Sequence, residues 1–187
     1  MDFSFYLKLG IEHILDLNGY DHMLFVIALC STYPLKQFKK LLLLLTAFTL
    51  GHCLTLILAG LGWLNLPQDR VEFLIPLTIL ITAILNIYTI ALNKSKQFGY
   101  ALAAGFGLIH GAGFSNFFKH VFENIENDIV LPLLGFNLGI EFGQIIIVVI
   151  YIALQWLIIK TLKIQSNSFG LTINIAVALA AAYLMFS

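Results

Sequence analysis

Residues 130–158 read VLPLLGFNLGIEFGQIIIVVIYIALQWLI, an apolar run in which Glu141 is the single charged residue. Such a run predicts a membrane-crossing helix, because about 20 consecutive apolar residues span the hydrocarbon core of a bilayer. Shorter runs of the same kind cover residues 21–33, 40–61, 71–92, 98–117 and 168–186. The sequence therefore predicts an all-α, polytopic membrane helix bundle of about six transmembrane helices.

Composition supports one membrane domain over residues 1–187. The chain is 60% hydrophobic and 11% charged, whereas about 25% of the residues in a soluble domain are charged. Its formal net charge of +0 indicates no nucleic-acid partner. The high apolar content predicts that the lipid bilayer surrounds the chain. The amphipathic stretch 3–17 either lies at the membrane interface or extends the first span, and about seven helices result if it spans separately.

The distribution of lysines predicts the orientation. Lys-rich loops follow the first, third and fifth spans, and the positive-inside rule assigns them to the cytoplasm. Their residues are Lys36, Lys39, Lys40, Lys94, Lys96, Lys160 and Lys163. The N-terminus and the acidic loop 119–128, with a solvated His120, then lie outside a cell (inner) membrane. The N-terminus lacks a basic region and a small-residue cleavage site, so we expect no signal peptide.

Small residues recur every four positions in two spans, as Ala103, Gly107 and Gly111 and as Gly135, Gly139 and Gly143. Such ladders let helix backbones approach closely and turn neighbouring polar side chains toward the bundle. Cys30 and Cys53 lie in apolar segments and are expected to be packing residues.

Ionisable side chains inside a membrane are costly and indicate function. In the predicted orientation, ionisable side chains from four separate spans and from the stretch 3–17 lie at a similar depth in the bilayer, in its outer half or near its midplane. Imidazoles with a carboxylate suit a divalent transition metal such as nickel, cobalt or zinc. The candidate ligands are His13, Asp21, His22, His52, His110 and Glu141. Asp21 has a second, compatible interpretation as the cap of the first span.

Other polar residues accompany these candidates, either as groups that orient the ligands or as part of an ion path. They are Thr49, Thr55, Glu72, Asn86, Asn137 and Gln144. Thr49, His52 and Thr55 share one helix face, and Asn137, Glu141 and Gln144 share another. Glu72 also fits a capping box with Asp69, and Asn86 also fits a hydrogen-bonded helix contact.

Five blocks occur in order between residues 10 and 144, with Glu72 and Asn86 between the third and the fourth. They are Gly10-x-x-His13-Ile14, Gly19-x-Asp21-His22-x-Leu24-Phe25, Phe48-Thr49-x-x-His52-x-x-Thr55-Leu56, Phe106-Gly107-Leu108-x-His110-Gly111-x-Gly113-Phe114 and Phe136-Asn137-x-Gly139-Ile140-Glu141-x-Gly143-Gln144. This pattern resembles the HupE/UreJ family of small membrane proteins associated with hydrogenase and urease systems. The resemblance implies a nickel or cobalt permease. Cys53 and Ser115 depart from the pattern, where serine and alanine are expected.

Three functions stay open on the sequence. A permease would capture metal outside at His13, Asp21 and His22 and pass it inward, although few polar groups line the inner halves of the spans. A zinc-dependent hydrolase at the outer leaflet would use a metal-bound water, with Glu141 or Asp21 as general base. A metal-binding or sensing subunit would have no turnover.

Overall fold

The part of the chain that the computed structural model describes forms seven α-helices. The model describes residues 2–17, 19–33, 37–64, 66–92, 99–123 and 130–186, and for residues 116, 117 and 119–123 the backbone alone. The helices are α1 (Phe3–Leu15), α2 (Asp21–Cys30), α3 (Phe38–Gly60), α4 (Gln68–Ala91), α5 (Tyr100–Glu123), α6 (Val130–Leu162) and α7 (Ser166–Leu184). No strand occurs within the described ranges. The predicted all-α class is confirmed.

Among the described residues, four helices, α3, α4, α6 and α7, are long and apolar enough to cross a membrane. Large apolar side chains such as Leu50, Val149 and Leu179 are exposed on the outside of the bundle, whereas polar side chains including His52 and Asn174 are buried inside it. This distribution suits lipid surroundings, in which backbone and side-chain polar groups must be satisfied internally. The protein is an integral membrane protein, and the count of six spans stays a prediction.

Helices α3 and α5 pack together through glycines. A Cβ added to Gly107 would collide with the carbonyl oxygen of Phe48, and one added to Gly111 would lie 2.5 Å from the carbonyl oxygen of His52. The contacts advance along both helices in the same direction, so α3 and α5 run parallel. The ladder expected at Gly107 and Gly111 therefore brings the two backbones into direct contact beside His52.

The second ladder holds α1 against α6. A Cβ on Gly135 would lie 2.9 Å from Cβ of Tyr6, one on Gly139 would meet the backbone of Leu7, and one on Gly143 would lie 3.1 Å from Cβ of Ile14. These contacts also advance in the same direction on both helices. Helix α1 therefore runs parallel to α6 and belongs to the bundle.

Helix α2 continues the course of α1 along α6. At its far end, the carbonyl oxygen of Ser31 would lie 2.8 Å from a Cβ on Gly170. The neighbouring Phe169 has its ring centroid 6.3 Å from that of Tyr151. Tyr151 lies eight residues beyond Gly143 (151 − 143), or about 12 Å farther along α6. Helices α1 and α2 thus follow one another along the same side of α6 as a discontinuous helix, broken between Leu15 and Asp21. This arrangement favours the prediction that the stretch 3–17 extends the first span.

A polar network joins α2, α4 and α7 at the end of α2 away from Asp21. Asn86 Nδ2 donates to the carbonyl oxygen of Ala28 at 2.9 Å and to Asn174 Oδ1 at 3.0 Å. Asn174 Nδ2 donates to Ser31 Oγ at 2.7 Å, and Ser31 Oγ donates back to the Ala28 carbonyl at 2.7 Å. Asn86 therefore joins helices, which was one of the two interpretations given to it.

Candidate metal centre

Four histidines from four helices meet inside the bundle. The ring centroid of His22 lies 4.8 Å from that of His13, 5.8 Å from that of His52 and 5.0 Å from that of His110. The centroids of His13 and His52 are 5.8 Å apart. We call these four side chains together with Asp21 the histidine cluster.

The histidine cluster forms where the helices of the fold converge. His13 lies in the last turn of α1 and His22 in the first turn of α2, so the two side chains lie on either side of the break between these helices. His52 and His110 lie in the middle of α3 and α5, and the close contact of Gly111 with the His52 backbone keeps them adjacent. Residues far apart in sequence thus reach one pocket through glycine packing and a broken helix.

Five ring nitrogens of the cluster lack a protein partner. In the described part of the chain, His13 Nε2, His22 Nε2, His110 Nδ1 and both nitrogens of His52 are buried without a hydrogen bond. A buried polar atom that loses water without gaining a partner costs about 1–3 kcal/mol. Native proteins keep few such atoms, and several in one pocket indicate a ligand that supplies the missing interactions.

Two contacts orient the rings for coordination. His22 Nδ1 lies 3.3 Å from Asp21 Oδ1, so the carboxylate favours a proton on Nδ1 and a lone pair on Nε2. Thr78 Oγ1 donates to the carbonyl oxygen of Ile75 at 2.7 Å and lies 2.9 Å from His110 Nε2. Because the hydroxyl proton is already used, His110 donates from Nε2 and keeps its lone pair on Nδ1, the atom without a partner.

The ligand atoms form two groups. His13, His22 and His52 offer atoms within 4.8 Å of one another, and so do Asp21, His22 and His110. Neutral imidazole nitrogens with a carboxylate oxygen are a donor set for Zn, Ni, Co, Fe or Cu. The residues present therefore fit a divalent transition metal ion.

Phenylalanines enclose the histidine cluster. Phe114 lies against His13, with centroids 4.0 Å apart, and Phe136 lies 5.6 Å from His13. On the side toward the C-terminal end of α2, the rings of Phe25 and Phe48 stack with centroids 4.7 Å apart. The Phe48 centroid lies 5.0 Å from that of His110. The pocket is therefore largely apolar apart from the ligand atoms, which strengthens electrostatic interactions within it.

Glu141 does not join the histidine cluster in either group of ligand atoms. The side of α6 that faces the core carries Phe136, Ile140 and Gln144, and Glu141 is turned by about 100° from Ile140. It lines a separate groove of about 390 Å³ between α3 and α6 together with Asn137 and Cys53. This placement does not support its predicted role as a ligand.

The other predicted residues are distributed around the cluster. Thr49, His52 and Thr55 share a buried face as predicted. Thr49 Oγ1 donates to Gln144 Oε1 at 3.3 Å, and Thr55 Oγ1 donates to the carbonyl oxygen of Leu108 at 2.8 Å, so both connect helices beside the cluster. Gln144 faces the core, whereas Asn137 faces the groove and donates to the carbonyl oxygen of Leu133 at 2.7 Å.

Glu72 lies outside the cluster, and the capping-box prediction for it is wrong. Helix α4 begins at Gln68 with Pro67 as its N-cap, so Asp69 lies within the first turn and cannot cap it. The exposed Glu72 carboxylate accepts a hydrogen bond from Gln68 Nε2 at 3.2 Å. The side chain of His120 and most of the loop 119–128 lie outside the described residues.

Comparison with known families assigns the chain to a membrane-protein family. The family model described as "HupE / UreJ protein" matches residues 1–187, the whole chain. The chain belongs to the HupE/UreJ family. Neither the curated proteins nor the solved structures contain a match. The blocks that carried the resemblance hold all five residues of the histidine cluster.

Two features of this HupE/UreJ protein were not predicted from its sequence. Thr78, which fixes the His110 ring, is one of several hydroxyl residues in the membrane helices, and its spacing alone does not identify its partner. Asn174, which completes the network with Asn86 and Ser31, is fully buried in α7. An asparagine in the last apolar run is a signal of the kind that singled out Asn86.

Proposed function

We propose that this HupE/UreJ protein is a membrane permease for a divalent transition metal of the nickel and cobalt type, with the histidine cluster as its intramembrane binding site. The observation that carries the proposal is the set of buried ring nitrogens on His13, His22, His52 and His110 that have no protein partner. A transported divalent ion, as substrate, would satisfy these atoms and receive charge compensation from Asp21.

The discontinuous helix supports transport over a static site. Many secondary transporters bind their substrates near the membrane midplane, where a broken helix exposes its ends. Here α1 ends and α2 begins at the histidine cluster. A change in the angle between α1 and α2 would alter the positions of His13 and His22 relative to α3 and α5, which would give the ion a route for release.

A cavity next to His13 supports an entry route. It has a volume of about 450 Å³, and its lining includes Glu12, His13, Asp16 and Phe114. The acidic side chains Glu12 and Asp16 are exposed and lie one helical turn apart. Glu12 pairs with Lys8 at 3.5 Å, and the carboxylate of Asp16 would attract cations to the mouth of the cavity. In the proposed orientation this cavity faces the outside of the cell membrane and the lysine-rich loops face the cytoplasm.

Polar groups beyond the cluster support an inward path. Phe25 and Phe48 stack on the side of the histidine cluster toward the C-terminal end of α2. The buried hydroxyl residues Thr78 and Thr82 lie along α4. Next comes the network of Ser31, Asn86 and Asn174, about 15 Å from Asp21 by the length of α2. The stacked phenylalanines would close the path in this conformation and would have to separate for the ion to pass.

Metal flux into sealed proteoliposomes tests the proposal. The wild-type protein is expected to accumulate Ni²⁺ or Co²⁺ inside the vesicles, measured with an entrapped metal-sensitive dye. His52→Ala is expected to lower the initial rate at least about 10-fold, because an ion ligand is lost. Thr161→Ala, an exposed hydroxyl residue near the end of α6, is the matched control and should transport normally.

Absence of flux for every divalent metal from correctly inserted wild-type protein would overturn the permease. If that protein also retained tightly bound zinc and hydrolysed lipid or peptide bonds, the hydrolase alternative would replace it.

A further inference from the structure

The two groups of ligand atoms share one residue. His22 belongs both to the group with His13 and His52 and to the group with Asp21 and His110. We call these the His52 triad and the His110 triad. Each triad supplies three protein ligands, fewer than the coordination number of four to six that these metals adopt.

The chemistry of His22 limits how the triads are used. A neutral imidazole has one lone pair, because one ring nitrogen carries a proton. Binding two ions at once through this ring would require loss of the second proton. The contact between His22 Nδ1 and Asp21 Oδ1, at 3.3 Å, instead favours keeping a proton on the ring.

Charge also favours a single ion. Asp21 is the one acidic side chain in either triad, so two divalent ions would leave about three uncompensated positive charges in a pocket enclosed by phenylalanines. Two divalent ions in one such pocket repel about four times as strongly as two unit charges at the same separation, and the apolar lining screens that repulsion less than water does. A single ion leaves about one uncompensated charge.

The geometry points to two overlapping positions for one divalent ion. We propose that the His52 triad, beside the entry cavity, and the His110 triad, beside the carboxylate of Asp21, hold the ion in turn, and that the ion moves between them while His22 remains bound. The exchange replaces the nitrogens of His13 and His52 by a carboxylate oxygen and the His110 nitrogen. This inference rests on the proposed function, since it describes how the permease hands its substrate on.

Incomplete coordination suits such a transfer. Transport needs sites that bind an ion and also release it to the next site. His13 lines the entry cavity, whereas His110 contacts Phe48 and Thr78 on the opposite side of the cluster. Movement from the first triad to the second therefore carries the ion from the cavity toward the stacked phenylalanines.

Titration of the purified full-length protein with Co²⁺ tests the inference, with visible absorption as the readout. Wild-type protein is expected to bind one equivalent. His52→Gln and His110→Gln are each expected to bind one equivalent, at least about 10-fold more weakly, with spectra that differ because one retained triad contains a carboxylate oxygen and the other does not. His22→Gln is expected to abolish binding, because it removes a ligand from both triads.

The outcomes separate the two proposals. Two equivalents in the wild-type protein, or loss of all binding in either His52→Gln or His110→Gln with His22→Gln no worse, would overturn the two-position inference and leave the metal-binding permease intact. No binding to wild-type protein would overturn both. Circular dichroism of each variant excludes misfolding, and two equivalents in the wild-type protein would overturn the inference even if a variant does not fold.

Discussion

Gly107→Leu is expected to prevent α3 and α5 from packing and to eliminate metal binding together with the folded state. A Cβ at this position would already collide with the carbonyl oxygen of Phe48, which is backbone and cannot move aside without shifting the helix. Overpacking a tight contact costs about 1–3 kcal/mol and occasionally more. Gly107→Ala should therefore lower the stability by about that amount, and leucine by more. Thermal unfolding in detergent, followed by Co²⁺ titration, measures both effects.

Gly105 provides the matched control because it lies two residues away on the same helix. A Cβ added there meets nothing within 4 Å. Gly105→Leu should therefore unfold near the wild-type temperature and bind metal normally. Equal stability of the Gly105 and Gly107 variants would show that the α3–α5 contact does not build the site.

Asp21→Asn is expected to weaken metal binding by about 10- to 100-fold, the range found when a carboxylate beside a metal-binding histidine is removed. The substitution keeps the shape of the side chain but removes the negative charge beside His22 and weakens the contact that orients its ring. It also removes the one carboxylate ligand of the His110 triad. Isothermal titration with Ni²⁺ or Co²⁺ gives the affinity of each variant.

Glu141→Gln is the control for Asp21→Asn, because it also removes a carboxylate charge from an apolar helix but outside the histidine cluster. Glu141 lines the groove with Asn137 and Cys53 and belongs to neither triad, so its replacement should leave equilibrium affinity unchanged. A loss as large as that of Asp21→Asn would place Glu141 in the metal centre after all, as the sequence suggested.

Much of the centre could be predicted because depth in a membrane helix follows from residue number. Counting residues from the ends of the apolar runs placed His22, His52 and His110 at one level, and the structure brings their rings together. The glycine ladders were also visible, since small residues every four positions mark one helix face. Which helices those ladders join depended on the three-dimensional packing.

Rotation about a helix axis was harder to predict than depth. Glu141 lies at a suitable level, but the close contact of α1 with Gly139 and Gly143 fixes the rotation of α6 so that Ile140 and Gln144 face the core. The break between α1 and α2 was likewise left open, because an amphipathic stretch of this length suits either the interface or a half-span. The successive contacts of α1 with α6 favour the half-span.

X-ray absorption at the metal edge of Ni²⁺-loaded, mildly purified protein tests most directly whether the four histidines form a metal site. We expect a first shell dominated by nitrogen and oxygen, with the outer-shell scattering of several imidazole rings, and weaker imidazole scattering in His22→Gln. A nickel ion coordinated by oxygen alone, with no imidazole contribution in the wild-type protein, would contradict the account.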